Sequence, residues 1–324
     1  MLNNIIPKNS KFALIAVENA YLQSNSKGFP SQLSDGTWVL QKIPMDIDKG
    51  WKEWIGELRY NEFKEANLIL ICAKRSNNPE ILDAQHARLR ENLHLFFNAI
   101  HLTGILGYKV SNLILGSYYD NRSEIRQMAK LPMFYRTKGY KPSRLTLRRL
   151  EKAVFVKKSL QEISVHAVPF KRIIRGWNVL IDGLQSNTNK ERIHQFVRAL
   201  EALITPEIGR TKRQFVYRCQ TFTIENSNNE LILKEAFDLR SMFEHLNDWE
   251  PALASYKKNT REDLALRRTR QMEKLACFAY SQILENRTLR NHFSSETKIR
   301  AFWHEQASQR RRIWGNHLDL LSVR

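Results

Sequence analysis

The sequence contains few cysteines, prolines and glycines, which are abundant in disulfide-rich, linker-rich and disordered proteins. Among its 324 residues are three cysteines, nine prolines and twelve glycines. So few prolines and glycines argue against a linker-rich or disordered chain. Cys72, Cys219 and Cys277 lie far apart and form no CxxC pair, which argues against a disulfide framework and against a thiolate zinc site. We therefore expect a globular protein of a reducing, cytoplasmic compartment.

Long apolar runs are also missing. The mean hydropathy is −0.49, and no apolar stretch approaches the ~18 residues that a membrane-spanning helix needs. The opening residues, MLNNIIPKNSKF, lack the basic segment and following apolar segment of a secretory signal. The sequence therefore predicts a protein without a membrane partner.

Acidic residues are outnumbered by basic residues. Lysine and arginine together number 52 against 33 acidic residues, a net charge of +19. Residues 1–150 carry +9 of this charge and residues 151–324 carry +10, so the excess is not confined to a tail. A field of this sign attracts polyanions. We expect a nucleic-acid partner, the alternative being a basic surface that faces only solvent.

The first half of the chain predicts mixed α/β structure. Short apolar runs predict strands over 12–17, 37–43, 67–72 and 108–118. A helix is predicted over 51–66, and a long one over 80–102 with Pro79 opening it. Residues 121–142 read as irregular. These elements form a predicted N-terminal domain of residues 1–155, with a sensing or regulatory role.

After Pro142 the helical period dominates. Two predicted capping boxes, Thr188 with Glu191 and Ser227 with Glu230, each mark the start of a helix. The predicted helices cover 145–164, 170–185, 191–204, 210–224, 230–245, 260–287 and 295–313. The sequence thus predicts an α+β chain in which an all-helical domain, residues 156–324, follows the mixed domain.

The common phosphate-binding and catalytic motifs are absent. The sequence has no GxGxxG, no GxxxxGK[ST], no HExxH and no GxSxG. It also lacks the grouped carboxylates that a metal-dependent nuclease needs. We therefore expect neither a cofactor nor a metal ion.

One segment, DLRSMFEH at residues 238–245, places Arg240 five positions before His245. This spacing is common by chance, and it recurs at Arg287 and His292. On an ideal helix the two side chains of the first pair point about 140° apart. They converge only if the helix frays or if a second helix supplies a partner pair. The structural alternative is that Arg240 pairs with Glu244 and that His245 caps the helix.

The order of several motifs resembles the HEPN superfamily, in its Apea-like branch. The run ALEALITPEIGRTKRQFVYRCQTF (199–222), followed by KEAFDLRSMFEHL (234–246), is similar to that branch's LEALL-type helix, FxxR-C element and (Y/F)DLRS…H helix. The late segments ILENRTLRNHF and AFWHE are similar to its last helices. The resemblance covers roughly residues 160–315, and it places no catalytic helix at Arg287 and His292.

The resemblance implies a helical ribonuclease domain that works as a homodimer. Two copies would join their Arg240 and His245 side chains into one composite catalytic site that needs no metal. The RNA 2′-hydroxyl would be the nucleophile, with RNA, including tRNA, as the substrate. The resemblance further implies a toxin-like effector in anti-phage defence by abortive infection, which responds to a phage-derived trigger or partner protein.

Two alternative functions are also compatible with the sequence, and each belongs to a different class of protein. In the first, the helical domain is a non-catalytic module that dimerises and binds RNA or a partner. In the second, the chain is an antitoxin or a structural subunit of a larger defence complex. The retained Arg240 and His245 argue against the first alternative.

Overall fold

The computed structural model describes residues 5–20, 30–43, 49–104, 106–135, 144–245 and 247–323, with the backbone alone for residues 49–51. The chain divides into two compact units. The first comprises Met1–Met133 with Pro142–Lys157, and the second comprises Phe134–Lys141 with Lys158–Arg324. The last part of the segment predicted to be irregular, residues 136–142, lies outside the described residues.

A six-stranded antiparallel sheet forms the centre of the first unit. Its spatial order is β2-β3-β4-β1-β5-β6, so the first long strand lies in the middle, between β4 and β5. All nine residues of this central strand are buried, as expected for a strand covered on both faces. The strands are β1 (Ser10–Glu18), β2 (Ser31–Gln32), β3 (Trp38–Leu40), β4 (Ala66–Arg75), β5 (Val110–Tyr119) and β6 (Arg122–Lys130).

Three helices accompany the sheet: α1 (Lys49–Ile55), α2 (Glu57–Lys64) and α3 (Ala84–Leu102). The long α3 packs against β1, β4 and β5 with an apolar stripe that includes Leu93, Phe96 and Ile100. One face of the sheet packs in a cluster that includes Phe63 of α2. Because successive strand residues alternate between faces, the apolar side chains of β1 enter both layers of the core.

The second unit consists of helices. The first of its helices, α4, continues across the boundary between the units. The helices are α4 (Leu147–Val165), α5 (Ala167–Gln185), α6 (Asn189–Ile204), α7 (Thr211–Cys219), α8 (Ser227–Glu244), α9 (Arg261–Glu285), α10 (Arg287–His292), α11 (Glu296–His304) and α12 (Ala307–Trp314). Short 3₁₀ turns occur at Glu250–Leu253, Lys258–Thr260 and Leu320–Ser322. Among the described helices, none combines the length and apolar character that a membrane crossing requires.

Helix α6 is the centre of the second unit, because it contacts α5, α7, α8 and α9. Its Arg192 is 1% exposed and donates to Glu273 Oε2 of α9 at 2.5 Å. The same guanidinium donates to the carbonyls of Tyr135 and Ser186 at 2.8 and 3.1 Å. One buried cation thus holds α6, α9 and two loop segments together, and every contact is charge-assisted.

The predicted α+β class is confirmed, but several element boundaries differ from the prediction. Residues 122–130, predicted to be irregular, form β6. The predicted helix over 51–66 is two helices interrupted at Gly56, whose φ of 82° is left-handed. The long helix starts at Ala84 rather than beside Pro79, because the Asp83 side chain accepts from the backbone N–H of Gln85 and caps it there.

Several helix ends in the second unit also differ from the prediction. The Thr188–Glu191 cap is present. The Ser227–Glu230 box was wrong, because Asn226 caps α8 by accepting from the N–H of Asn229. Helix α7 ends at Cys219 instead of residue 224. The last predicted helix is two helices, since extended backbone at Glu305 and Gln306 separates α11 from α12.

We expect Glu273→Ala to lower the free energy of unfolding by about 3–5 kcal/mol, because it leaves the Arg192 guanidinium buried without its carboxylate. Chemical denaturation followed by circular dichroism measures this change. The matched control is Lys234→Ala, which removes a half-exposed pair with Glu230 and should change stability by less than about 1 kcal/mol. Equal effects of the two substitutions would contradict the role given to the buried pair.

Candidate functional site

Helix α8 carries both residues that the sequence singles out. Its buried positions Ile232, Leu233, Ala236 and Leu239 face the core of the helical unit. This apolar stripe sets the rotation of the helix, and thereby the direction in which each polar residue points. Arg240 lies one turn before the end of α8, and His245 is the residue that ends it.

The guanidinium of Arg240 is held between two carboxylates. Its Nη2 atom donates to Oε2 of Glu201 on α6 at 3.1 Å, and its Nη1 atom to Oε2 of Glu244 at 2.5 Å. The guanidinium carbon also lies 5.7 Å from the ring centroid of Phe237. The Arg240 side chain is 14% exposed. The pairing with Glu244 expected for a structural role is therefore present, and Glu201 adds a second one.

Helix α6 presents a polar stripe to Arg240. His194, Arg198 and Glu201 are spaced i, i+4 and i+7 and therefore share one face of the helix. Together with Arg240 and Glu244 they form what we name the Arg240 cluster. Burial raises the pKa of the Glu201 carboxyl, although Arg240 and Arg198 act in the opposite direction. The cluster thus contains two arginines, two carboxylates and an imidazole.

His194 lines a cleft of about 470 Å³, together with Lys190, Gln195, Phe243 and Glu244. Burial lowers the pKa of the His194 imidazole, and the positive charges of Arg240 and Arg198 lower it further. Glu244 acts in the opposite direction. A depressed pKa keeps His194 neutral at neutral pH, a form that accepts a proton.

His245 lies outside the Arg240 cluster. It is exposed at the end of α8, and its backbone N–H donates to the carbonyl of Ser241 at 3.2 Å. Within the described residues, no hydrogen bond or ion pair joins the His245 side chain to Arg240. On helix geometry the two side chains leave α8 about 140° apart. One protomer therefore does not bring the two predicted residues together.

A basic groove, which we define by Arg210, Lys212, Arg213, Tyr217 and Lys234, meets α8 in the first half of that helix. This groove has a volume of about 590 Å³ and runs along α7 and α8. Tyr217 is 50% exposed, and Arg310 stacks on its ring at 4.9 Å. Lys212 is paired with Asp238 at 2.6 Å. Cations beside an exposed aromatic ring are the features of a single-strand nucleic-acid surface.

Sequence reasoning missed His194, Glu201 and the basic groove. The available signal for the first two was the spacing in ERIHQFVRALEALI, where His194, Arg198 and Glu201 recur on one face of the helix. Nothing in the local sequence pairs this face with Arg240, which lies 39 residues beyond Glu201. The second Arg-x4-His pair, Arg287 and His292, occupies the two ends of the short α10.

Among the described residues there is neither an accessible thiol nor a cluster of metal ligands. The three cysteines are buried, and burial raises the pKa of the Cys72 and Cys277 thiols to about 12, far from the thiolate that a nucleophile requires. In the described part of the chain, no three histidine, cysteine, aspartate or glutamate side chains are grouped as metal ligands.

We expect Arg240→Gln to raise the pKa of His194, because it removes a positive charge that disfavours the imidazolium. Glu244→Gln should lower that pKa further, since it removes the carboxylate that favours the imidazolium. NMR titration of the His194 ring protons, assigned with His194→Gln, measures both shifts. Arg287→Gln, which removes a distant charge, is the control and should leave the titration unchanged. Shifts of the same sign in the two cluster variants would refute this account.

Comparison of the chain with protein-family models, with curated proteins and with solved structures gave no match. The resemblance to the HEPN superfamily therefore rests on the sequence motifs. Because a fold can host many activities, the function has to be argued from the residues of the helical unit and their surroundings.

Proposed function

We propose that the chain is a metal-independent endoribonuclease of the HEPN type, with Arg240 and His245 in a composite site at a homodimer interface. The observation that carries the proposal is the position of His245. It is exposed at the end of α8, about three helical turns beyond Lys234 of the basic groove and, on helix geometry, on the same side of α8. An RNA strand held in this groove by its phosphates and by stacking on Tyr217 would bring its backbone near the imidazole.

The chemistry needs an acid–base group and a fixed positive charge. In cleavage by internal attack, the 2′-hydroxyl gives up its proton to a base and its oxygen forms a bond to phosphorus, while the bond from phosphorus to the 5′-oxygen breaks and the 5′-oxygen takes up a proton from an acid. Histidine is the side chain that most often takes up and releases protons in catalysis. A guanidinium stabilises the charge that develops on the phosphate oxygens. DNA lacks the 2′-hydroxyl, so RNA is the substrate.

A homodimer supplies what one protomer lacks. Because Arg240 and His245 leave α8 about 140° apart, the imidazole of one copy has to meet the guanidinium of the other. Symmetric dimers commonly form through one shared patch on both copies. In this proposal the C-terminal part of α8 is that patch. The toxin-like role in anti-phage defence, with a phage-derived trigger, extends the same proposal from the family resemblance.

A second candidate function is a non-catalytic module that binds RNA or a partner. The burial of Arg240 favours it, since Glu201 and Glu244 already occupy its guanidinium. Such a module would bind RNA without shortening it, with an affinity that falls steeply as salt rises. A catalytic Arg240 instead has to exchange at least one carboxylate for a phosphate oxygen, which a dimer interface would promote.

Cleavage of tRNA and total RNA in EDTA tests the enzyme directly. We expect Arg240→Ala and His245→Ala each to reduce the rate by about 100-fold or more, the usual loss for an acid–base group. His304→Ala is the matched control, because His304 is also an exposed histidine at a helix end, and it should retain activity. Cleavage that survives in either site variant would refute the site assignment, and RNA bound but intact in the wild type would favour the binding module.

Mixing the two inactive variants tests the composite site. A heterodimer of Arg240→Ala with His245→Ala contains one intact arginine and one intact histidine on different chains. We expect the mixture to recover part of the wild-type cleavage, after co-expression or subunit exchange. Each variant alone should stay inactive at the same total concentration. Failure to recover activity in a mixture shown to contain heterodimer would contradict catalysis across the interface.

A further inference from the structure

The first unit contains a basic cleft that the proposed ribonuclease site does not use. We name it the β1–β4 cleft. It has a volume of about 940 Å³ and is lined by Lys8, Lys74, Arg75 and Arg88, with uncharged residues between them. None of the lining residues is acidic or aromatic. All four cations are exposed.

These four cations are free to bind an external anion. With the residues that the structure describes, Lys8, Lys74, Arg75 and Arg88 form no ion pair. Other lysines of the same unit form ion pairs with carboxylates. Lys11 pairs with Asp83 at 2.7 Å, and Lys157 pairs with Asp35. The cleft is therefore a local excess of uncompensated positive charge.

The walls of the cleft are held together by hydrogen bonds, so the cations are presented on a firm frame. The backbone N–H of Ser76 donates to the carbonyl of Asn9 at 2.9 Å. The side-chain amide of Gln85 donates to the carbonyl of Arg75 at 3.0 Å. These bonds join the end of β4 to the segment before β1 and to the first turn of α3. A preformed surface loses less entropy when it binds a ligand.

The start of α3 adds to the attraction for an anion. Ala84 and Gln85 of its first turn line the cleft, and the positive end of a helix dipole favours negative charge. Asp83 caps this turn, but its second carboxylate oxygen is occupied by Lys11. The carboxylate beside the cleft is thus largely neutralised by a buried lysine.

We propose that the β1–β4 cleft binds the phosphodiester backbone of a nucleic acid strand. Several spaced cations match several phosphates, and contacts to the backbone carry no sequence information. A free nucleotide fits less well, because a nucleotide pocket uses large apolar or aromatic groups to hold the base, and this lining contains no aromatic ring and only Ala84 as an apolar side chain. The site lies apart from Arg240 and His245 in the sequence, and the proposal does not depend on their being catalytic.

Fluorescence anisotropy with a labelled RNA of about 20 nucleotides tests the proposal. The variant Lys74→Gln/Arg75→Gln/Arg88→Gln, in the full chain carrying His245→Ala, should bind about 10-fold or more weakly at moderate salt. The slope of log affinity against log salt should also fall by about 2, as expected for three lost phosphate contacts on a single strand. The removal of unpaired exposed cations leaves no carboxylate without a partner, so the variant should keep the wild-type melting temperature.

The control variant Lys42→Gln/Arg122→Gln/Arg148→Gln removes the same charge from exposed positions of the same unit and should bind nearly as the parent does. Competition identifies the ligand: unlabelled RNA and single-stranded DNA should compete alike, and ATP should not. An equal loss in both triple variants, no loss in the cleft variant, or effective competition by ATP would each overturn the proposal. If the cleft variant does not fold, hydrogen exchange of the parent decides. RNA should protect the amides of residues 74–88, and unchanged exchange there would also overturn it.

Discussion

The ion pair between Arg192 and Glu273 determines where helix α6 lies, and much of the helical unit depends on that position. Both side chains are almost completely removed from solvent. A buried charge is tolerated only when its partners are complete, so α6, α9 and the carbonyls of Tyr135 and Ser186 have to assemble together. With α6 in place on this side, its opposite face presents His194 and Glu201 to α8.

The same rule explains how the positive charge of the chain is distributed. Three buried cations are matched by carboxylates, namely Lys11 by Asp83, Lys157 by Asp35 and Arg268 by Glu235. The buried Arg149 and Arg310 donate instead to backbone carbonyls. Acidic residues are fewer than basic ones, so cations that remain at the surface are left without partners. The unpaired cations of the β1–β4 cleft are one such group, and Arg213 of the basic groove is another. A polyanion supplies the missing negative charge.

Arg240 is intermediate between the buried cations that have carboxylate partners and the surface cations that have none. Its guanidinium is nearly buried and bound by Glu201 and Glu244, whereas His245, five residues later, is exposed. A helix that ends at His245 turns the two side chains to different sides. The two proposed functions make different demands on Arg240: the proposed catalytic site requires a phosphate oxygen to replace one of its two carboxylates, whereas a binding module leaves both in place.

Local sequence patterns predicted the elements whose signals are short in range. The alternating and continuous apolar runs located β1, β4 and β5, and the Thr188–Glu191 cap located α6, because each signal acts within one or two turns or strands. Strand β6 was missed because it is a partly exposed edge strand, RSEIRQMAK, with little apolar content. Its pairing with β5 supplies the stability that its own residues lack.

The sequence by itself determined the α+β composition, the excess of positive charge and the presence of Arg240 and His245 on one helix. Tertiary structure alone decided that Arg240 meets Glu201, that His194 lies beside it and that Lys74 and Arg88 share a cleft. The physical reason is the separation along the chain between the residues that interact. Helix period and capping depend on neighbouring residues, whereas these contacts join segments that are distant in the chain and meet only when the core has packed.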